Sequence, residues 1–483
     1  MGAWKYVALC FLLSGYRVST NPIQTSYDTI VVGLGSAGTT AASTLAKAGK
    51  RVLALEAQDR IGGRVKTVPF GDGVVEEGAE WIHGTVNSRT YEEATKHNIT
   101  TIPQDLSQVV YESDGSLGDN NLVNELVEFG LEVMDTQSTD PSESLGEYIT
   151  RRLEDYLIEN HPNVLENEDF VTQFLEMMNL IVNSYEASNN WNDVSSQGGY
   201  DELVGHHSMS WHRYGYKTFF EILLNTYNSG PGLPNLDIKL NKEVTSIRWP
   251  KNSTGRVEVL CKDGDVYTAD NVIVTVSLGV LKERHSSLFS PQLPQEKVDM
   301  IEKISIGVVG KVILEFERQW LPNATAILFL WKGEDKRNIS EEDYWMTQIY
   351  ACSPPMGSSN TVSLWTSGDA AKLVETLPED VLKAKVMELL RKFIGNDIKI
   401  PDPVRMIRST WFANPFTRGS YSYNNLVMDK YPDARKILGE ALVDSAGNPK
   451  VLFAGEATNL VHYSTVHGAS ETGDREAKRL LQS

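Results

Sequence analysis

Cysteine is scarce, with 3 in a chain of 483 residues. That argues against a disulfide scaffold and against a multi-cysteine zinc site. Basic runs are absent. Lys plus Arg number 45 against 64 Asp plus Glu, a formal net charge of −19, so the overall field repels a phosphate backbone and nucleic acid is not an expected partner. No apolar run reaches the ~20 residues that a membrane-spanning helix needs, and no lipidation motif closes the C-terminus. Internal repeats, low-complexity tracts, nucleophile elbows, nucleotide-triphosphate loops and metal-ligand clusters are missing too, so no metal is expected. The remainder is ordinary globular composition, 41% hydrophobic and 23% charged, in a chain long enough for two domains. Nothing in it sets an oligomeric state.

The one strongly apolar N-terminal stretch, Tyr6 to Leu13, follows Lys5 and precedes Ser14, Gly15, Ser19 and Thr20. It reads as a cleaved secretory signal over residues 1–20. Sequons at Asn98, Asn252, Asn323 and Asn338 agree with it. The expectation is a secreted or lumenal glycoprotein without a stable membrane anchor. Once the leader is removed, Cys261 and Cys352 remain, either to pair or to stay buried and free.

Tyr27 to Val32 is a β-branched run, followed at once by Gly33-Leu34-Gly35-Ser36-Ala37-Gly38, a helix-forming stretch from Thr39 to Ala48, and a second apolar strand, Arg51 to Leu55. Glu56 closes that strand 18 residues beyond Gly38. This is the strand–GxGxxG–helix–strand–acid order of a dinucleotide site. Gly33 permits the turn, Gly35 lets backbone approach a pyrophosphate, and Gly38 lets helix pack on strand. Ser36 and Ala37 complete the loop at the helix N-terminus, where free N–H groups face phosphate. The Glu56 carboxylate suits ribose hydroxyls. A second glycine pair, Gly62-Gly63, flanked by Arg60 and Arg64, suits an elongated dinucleotide, with Arg64 facing a phosphate or flavin edge.

Together with Glu77-Gly78-Ala79-Glu80-Trp81 and Leu452-Phe453-Ala454-Gly455-Glu456-Ala457-Thr458, these motifs resemble the flavin-containing amine oxidase family across nearly the whole mature chain. The resemblance implies bound FAD, held by Gly33 to Gly38, Glu56, Arg64, Gly78, Ala79, Glu80, Trp81, Val244, Trp411, Gly455, Glu456, Thr465 and Val466. Four stretches resemble the animal spermine and N-acetylpolyamine oxidases within that family. Trp81-Ile82-His83-Gly84 implies a histidine, His83, at the substrate tunnel. Gly310 to Phe316 is an alternating strand with a lone lysine, Lys311, whose implied role is to hold a water against the flavin. In Trp411 to Tyr423 the resemblance makes Trp411 and Tyr421 walls of an amine cage. Ser420 there replaces the cysteine by which monoamine oxidases bond flavin, implying non-covalent FAD. His462 to Ala469 leads into a closing helix aimed at the flavin, although Val466 replaces a hydroxyl residue usual in the vertebrate enzymes. The implied reaction is oxidation of spermine, spermidine or their N-acetyl derivatives by O2 to an aldehyde, a shorter amine and H2O2.

The expected fold class is α/β, a discontinuous Rossmann-like FAD-binding domain (residues 26–84, 206–282 and 409–483) with an α+β substrate-binding domain (85–205 and 283–408), in amine-oxidase architecture. Ile238 to Ile247 is expected as one strand, and Tyr344 to Tyr350 as another. In the loop after Gly198-Gly199, Tyr200 and Glu202 are placed to meet the distal ammonium of a polyamine. Competing readings are an L-amino-acid oxidase, for which Arg418 is the sole arginine near the aromatic motif, and a catalytically silent flavin-binding protein.

Overall fold

A computed structural model describes residues 26–321, 325–396 and 398–482. The expected leader and the sequon at Asn323 lie outside them. Asn98, Asn252 and Asn338 are exposed, and Cys261 and Cys352 are buried and free. No helix of the described residues is long and apolar enough to cross a membrane.

Two sheets organise the chain. In the first, Tyr27–Val32 is buried on both faces and pairs in parallel with Val52–Leu55 and with Val266–Val274. A continuously apolar strand of this kind belongs in the middle of a covered parallel sheet. Val266–Val274 does two jobs. Its first half pairs antiparallel with Val257–Cys261, and its second half runs parallel to Pro449–Phe453, a strand from near the end of the chain. The helix Ser36–Lys47 crosses between the first two strands, and the closing helix Val466–Gln482 packs along it. Their contact is close because Gly473 has no side chain: a Cβ there would lie 2.1 Å from the Ala37 carbonyl oxygen.

The expected strand over 238–247 is in fact two. Leu236–Lys239 extends the parallel sheet beside Val52–Leu55, and Val244–Arg248 joins the antiparallel part beside Val257–Cys261. Asn241, at φ +55°, breaks the run between them; asparagine tolerates the left-handed region that β-branched residues avoid. The first lobe also extends past the expected boundary at 282. Phe289, Leu293, Met300, Ile301 and Ile304 pack into its core beside Val272 and Phe453.

The second sheet has six strands in the order Arg405–Arg408, Val309–Glu315, Thr361–Ser367, Ala351–Ser353, Thr325–Leu330, Ser107–Glu112. Its last strand comes from the 85–205 insertion and pairs in parallel with Thr325–Leu330, so the two insertions meet in one sheet. The expected strand over 344–350 is instead a 3-10 turn, Glu341–Gln348, entered through the Ser340 hydroxyl, which accepts the Asp343 N–H. One side of this sheet packs on Glu379–Ile394. The other packs on three helices, Asn120–Met134, Leu145–Asn160 and Glu168–Glu186. Each of these starts at a side-chain cap, Asp119, Ser144 and Asn167 respectively, and the Ser144 cap is a reciprocal box with Glu147.

The Gly473 contact is testable. Gly473→Ala forces the closing helix away from Ser36–Lys47, and urea unfolding should show a loss of about 1–3 kcal/mol, the usual range for overpacking.

Candidate active site

A cavity of about 1030 Å³ opens between the two sheets, at the upper end of the ~300–1,000 Å³ typical of small-molecule sites. One end is lined by the glycine loop, Glu56, Arg64, Val244 and Glu456; the other by Lys311, Trp365, Tyr350 and the helix end at Glu186.

At the loop end the backbone is bare. A Cβ on Gly35 would meet nothing closer than 3.9 Å, and one on Gly455, at φ +141°, nothing within 4 Å. Gly38 has the opposite reason to lack a side chain, since its Cβ would sit 1.9 Å from the Gly33 carbonyl oxygen. The helix Ser36–Lys47 begins here with no side-chain cap and no acid in its first turn, leaving its N–H groups and positive dipole end for an anion. The Ser36 hydroxyl donates to the Val466 carbonyl across 2.8 Å, joining the loop to the closing helix. Glu56 accepts the N–H groups of Leu34 (2.8 Å) and Gln58 (2.9 Å). Burial pushes its carboxyl above the usual range, against the pull of those donors. Val244 opens its strand and borders the cavity. A dinucleotide fits this donor set: bare backbone and a free helix end for phosphates, and an oriented carboxylate for ribose.

Glu456 is the electrostatic centre. It accepts Arg64 Nη1 at 2.9 Å, the Ser422 hydroxyl at 2.6 Å and the Ser464 N–H at 3.1 Å. Burial alone would raise its pKa, but Arg64, the Ser422 hydroxyl and Arg435 outweigh it and hold the carboxyl below its usual range. Arg64 also donates to the Ser420 carbonyl at 2.6 Å. Arg60 instead braces the loop backbone through the Gly63 and Val65 carbonyls.

The aromatic walls have defined anchors. Trp81 stacks on Trp365, centroids 5.4 Å apart, and donates to Gln104 at 2.6 Å. Trp411 is buried, donates to the Glu77 carbonyl at 3.3 Å and lies against Gly78. The Tyr421 hydroxyl donates to the Ser184 carbonyl at 2.6 Å. The Ser420 hydroxyl is held by Val309 on the Lys311 strand, accepting its N–H at 2.9 Å and donating to its carbonyl at 3.0 Å. Ala79 and Glu80 complete the cavity wall beside Trp81.

His83 is half-buried at the cavity, and burial lowers its pKa. Its ring lies 6.4 Å from that of His467, which burial first, then His83 and His462, push down to about 3. Both imidazoles are therefore neutral at physiological pH. Thr465 caps the closing helix, accepting the Gly468 N–H at 3.0 Å. Tyr200 packs edge-on against Tyr463, 5.6 Å away. Glu202 borders the cavity but is half exposed and pairs with His207 at 3.3 Å.

The residue that sequence reasoning missed is Glu186, last in the helix Glu168–Glu186. It borders the cavity and has no hydrogen bond or ion pair among the described residues. Burial pushes its carboxyl up to about 7, with Arg435 opposing. Nothing in the local sequence distinguishes it from other acids of an amphipathic helix.

The family profile described as "Flavin containing amine oxidoreductase" matches residues 36–481. The chain is 31% identical over 500 residues to the Homo sapiens "Peroxisomal N(1)-acetyl-spermine/spermidine oxidase", covering 94% of both chains. The Bos taurus protein of the same description is 30% identical at the same coverage. "Polyamine oxidase 1" of Oryza sativa is 28% identical over 515 residues, covering 94% of this chain and 96% of that one. Among solved structures, a cofactor-binding redesign of putrescine oxidase superposes with a TM-score of 0.66 at 18% identity, covering 95% of this chain and 99% of that chain, a likeness of fold.

Removing the Glu456 charge leaves Arg64 and Arg435 without their shared anion. Glu456→Gln should weaken flavin retention by about tenfold or more, read as the apparent Kd on reconstituting apoprotein with FAD. Affinity equal to wild type would show that the charge is idle.

Proposed function

The chain belongs to the flavin-containing amine oxidoreductases and takes FAD, and from that premise we infer that it is a polyamine oxidase. The observation that carries this reading is Glu186: an unpartnered carboxylate facing the cavity at the C-terminal, negative end of a helix. An ammonium remote from the reacting nitrogen is the group such a site accepts. Trp81, Trp365, Trp411 and Tyr421 supply faces against which methylenes and cations pack.

The polyamine is oxidised by O2 to an aldehyde, a shorter amine and H2O2, with spermine, spermidine or their N-acetyl derivatives as substrates. FAD, held without a covalent bond by the glycine loop, Glu56, Arg64 and Glu456, supplies the hydride acceptor. Neither Cys261 nor Cys352 borders the cavity, which supports non-covalent attachment. The aromatic walls hold the reacting carbon, with neutral His83 beside them at the cavity. The protein is proposed to be secreted or lumenal, on the strength of the apolar leader and the sequons.

An amino-acid oxidase requires an arginine free to meet a carboxylate. Arg418 pairs with Glu283 at 2.7 Å and does not border the cavity. Arg64 and Arg284 border it but are paired with Glu456 and Glu243.

Purified yellow protein mixed anaerobically with spermine, spermidine, N-acetylated polyamines, tyramine or L-leucine should bleach with the polyamines. Bleaching by L-leucine alone would overturn the reading. Glu186 adds a signed pH dependence. A carboxyl titrating near 7 is an anion above that pH and neutral below it, so KM for a polyamine should rise as pH falls through 7. Glu186→Gln should abolish that rise and increase KM about tenfold at pH 8, with a smaller change in kcat.

A further inference from the structure

Lys311 sits on an interior strand of the second sheet, in Val309–Glu315, and is 3% exposed. An ammonium has three N–H donors and no acceptor. All three are committed: to the Glu76 carbonyl at 3.0 Å, the Gly78 carbonyl at 3.0 Å and Glu80 Oε2 at 2.6 Å. Its Nζ lies 4.3 Å from the Trp365 ring centroid and 5.9 Å from that of Trp81. Ser409, on the neighbouring segment, accepts the Lys311 N–H at 2.8 Å and adds no charge.

Two acids approach this cation, and they are used differently. The Glu76 side chain accepts the Tyr216 N–H at 2.8 Å and the Thr67 hydroxyl at 2.8 Å. Burial pushes its carboxyl up to about 8, so it is mostly protonated at neutral pH and contributes little countercharge. Glu80 is the one carboxylate paired with Lys311 among the described residues.

We propose that Glu80 is the positioning residue of Lys311: its carboxylate supplies the countercharge and aims the ammonium into the Glu76–Glu80 turn rather than into the cavity. The implied role of the lysine, holding a water with an N–H, then requires one of the three acceptors to let go. With Glu80 in place, Lys311 acts on a group bound in the cavity through its charge.

The holoenzyme variant Glu80→Gln tests this. Removing the anion beside a buried cation makes the cation easier to deprotonate. The pH–rate profile for flavin reduction or reoxidation should therefore lie acidward of the wild-type profile. Thermal midpoints give a readout independent of turnover. Glu80→Gln and Lys311→Met each strand a buried charge and should lower the midpoint, whereas the double variant strands none and should regain most of the loss. If Glu80→Gln yields no holoprotein, the double variant carries the test through its regained midpoint. A pH profile unmoved by Glu80→Gln, or midpoint losses that add in the double variant, would overturn the proposal.

Discussion

Arg64 meets Glu456 across 2.9 Å, and 392 residues separate them in the chain. The contact closes one end of the cavity, because one partner follows the first βαβ unit and the other follows a strand near the end of the chain. Neither group is favourable alone. A carboxylate withdrawn from water needs donors, and Glu456 has an arginine, a hydroxyl and a backbone N–H around it. Removing either partner strands the other, so the first lobe and the cavity wall are stabilised by the same contact.

The second sheet depends on this closure for its purpose. It brings Lys311 and Trp365 to the far wall of the cavity, and Ser420, beside the Arg64 contact, holds the lysine strand at Val309. The shape of the cavity thus comes from two sheets clamped at a few polar points. Its chemistry comes from which charges the clamp leaves unpaired. Arg64, Arg284 and Lys311 all have carboxylate partners. Glu186 has none among the described residues, so it is left unpaired at the cavity.

The chain's formal charge of −19 works in the same direction at long range, drawing cations toward the molecule, although salt screens it beyond about 10 Å. Selection among amines therefore rests on the buried groups, where the dielectric is low, and less on the surface field.

Short-range chemistry was legible in the sequence. The glycine loop, Glu56, the second glycine pair and the buried lysine strand each follow from spacing over a few residues, because the turn, the free helix end and the pleat are local backbone properties. The closing helix was legible for the same reason. Expectation failed where partners come from elsewhere. Asn241 split one apparent strand between two sheet positions, and Glu341–Gln348 coiled despite its apolar residues. The pairing of Glu80 with Lys311 joins residues 231 positions apart and had no local signal. Glu186 carried no local signal at all. The sequence by itself determined where bare backbone and a free helix end would line the cavity, since that depends on missing side chains and local hydrogen bonding. Only the tertiary structure decided which charges are cancelled and which face the cavity, because pairing depends on distances between residues hundreds of positions apart.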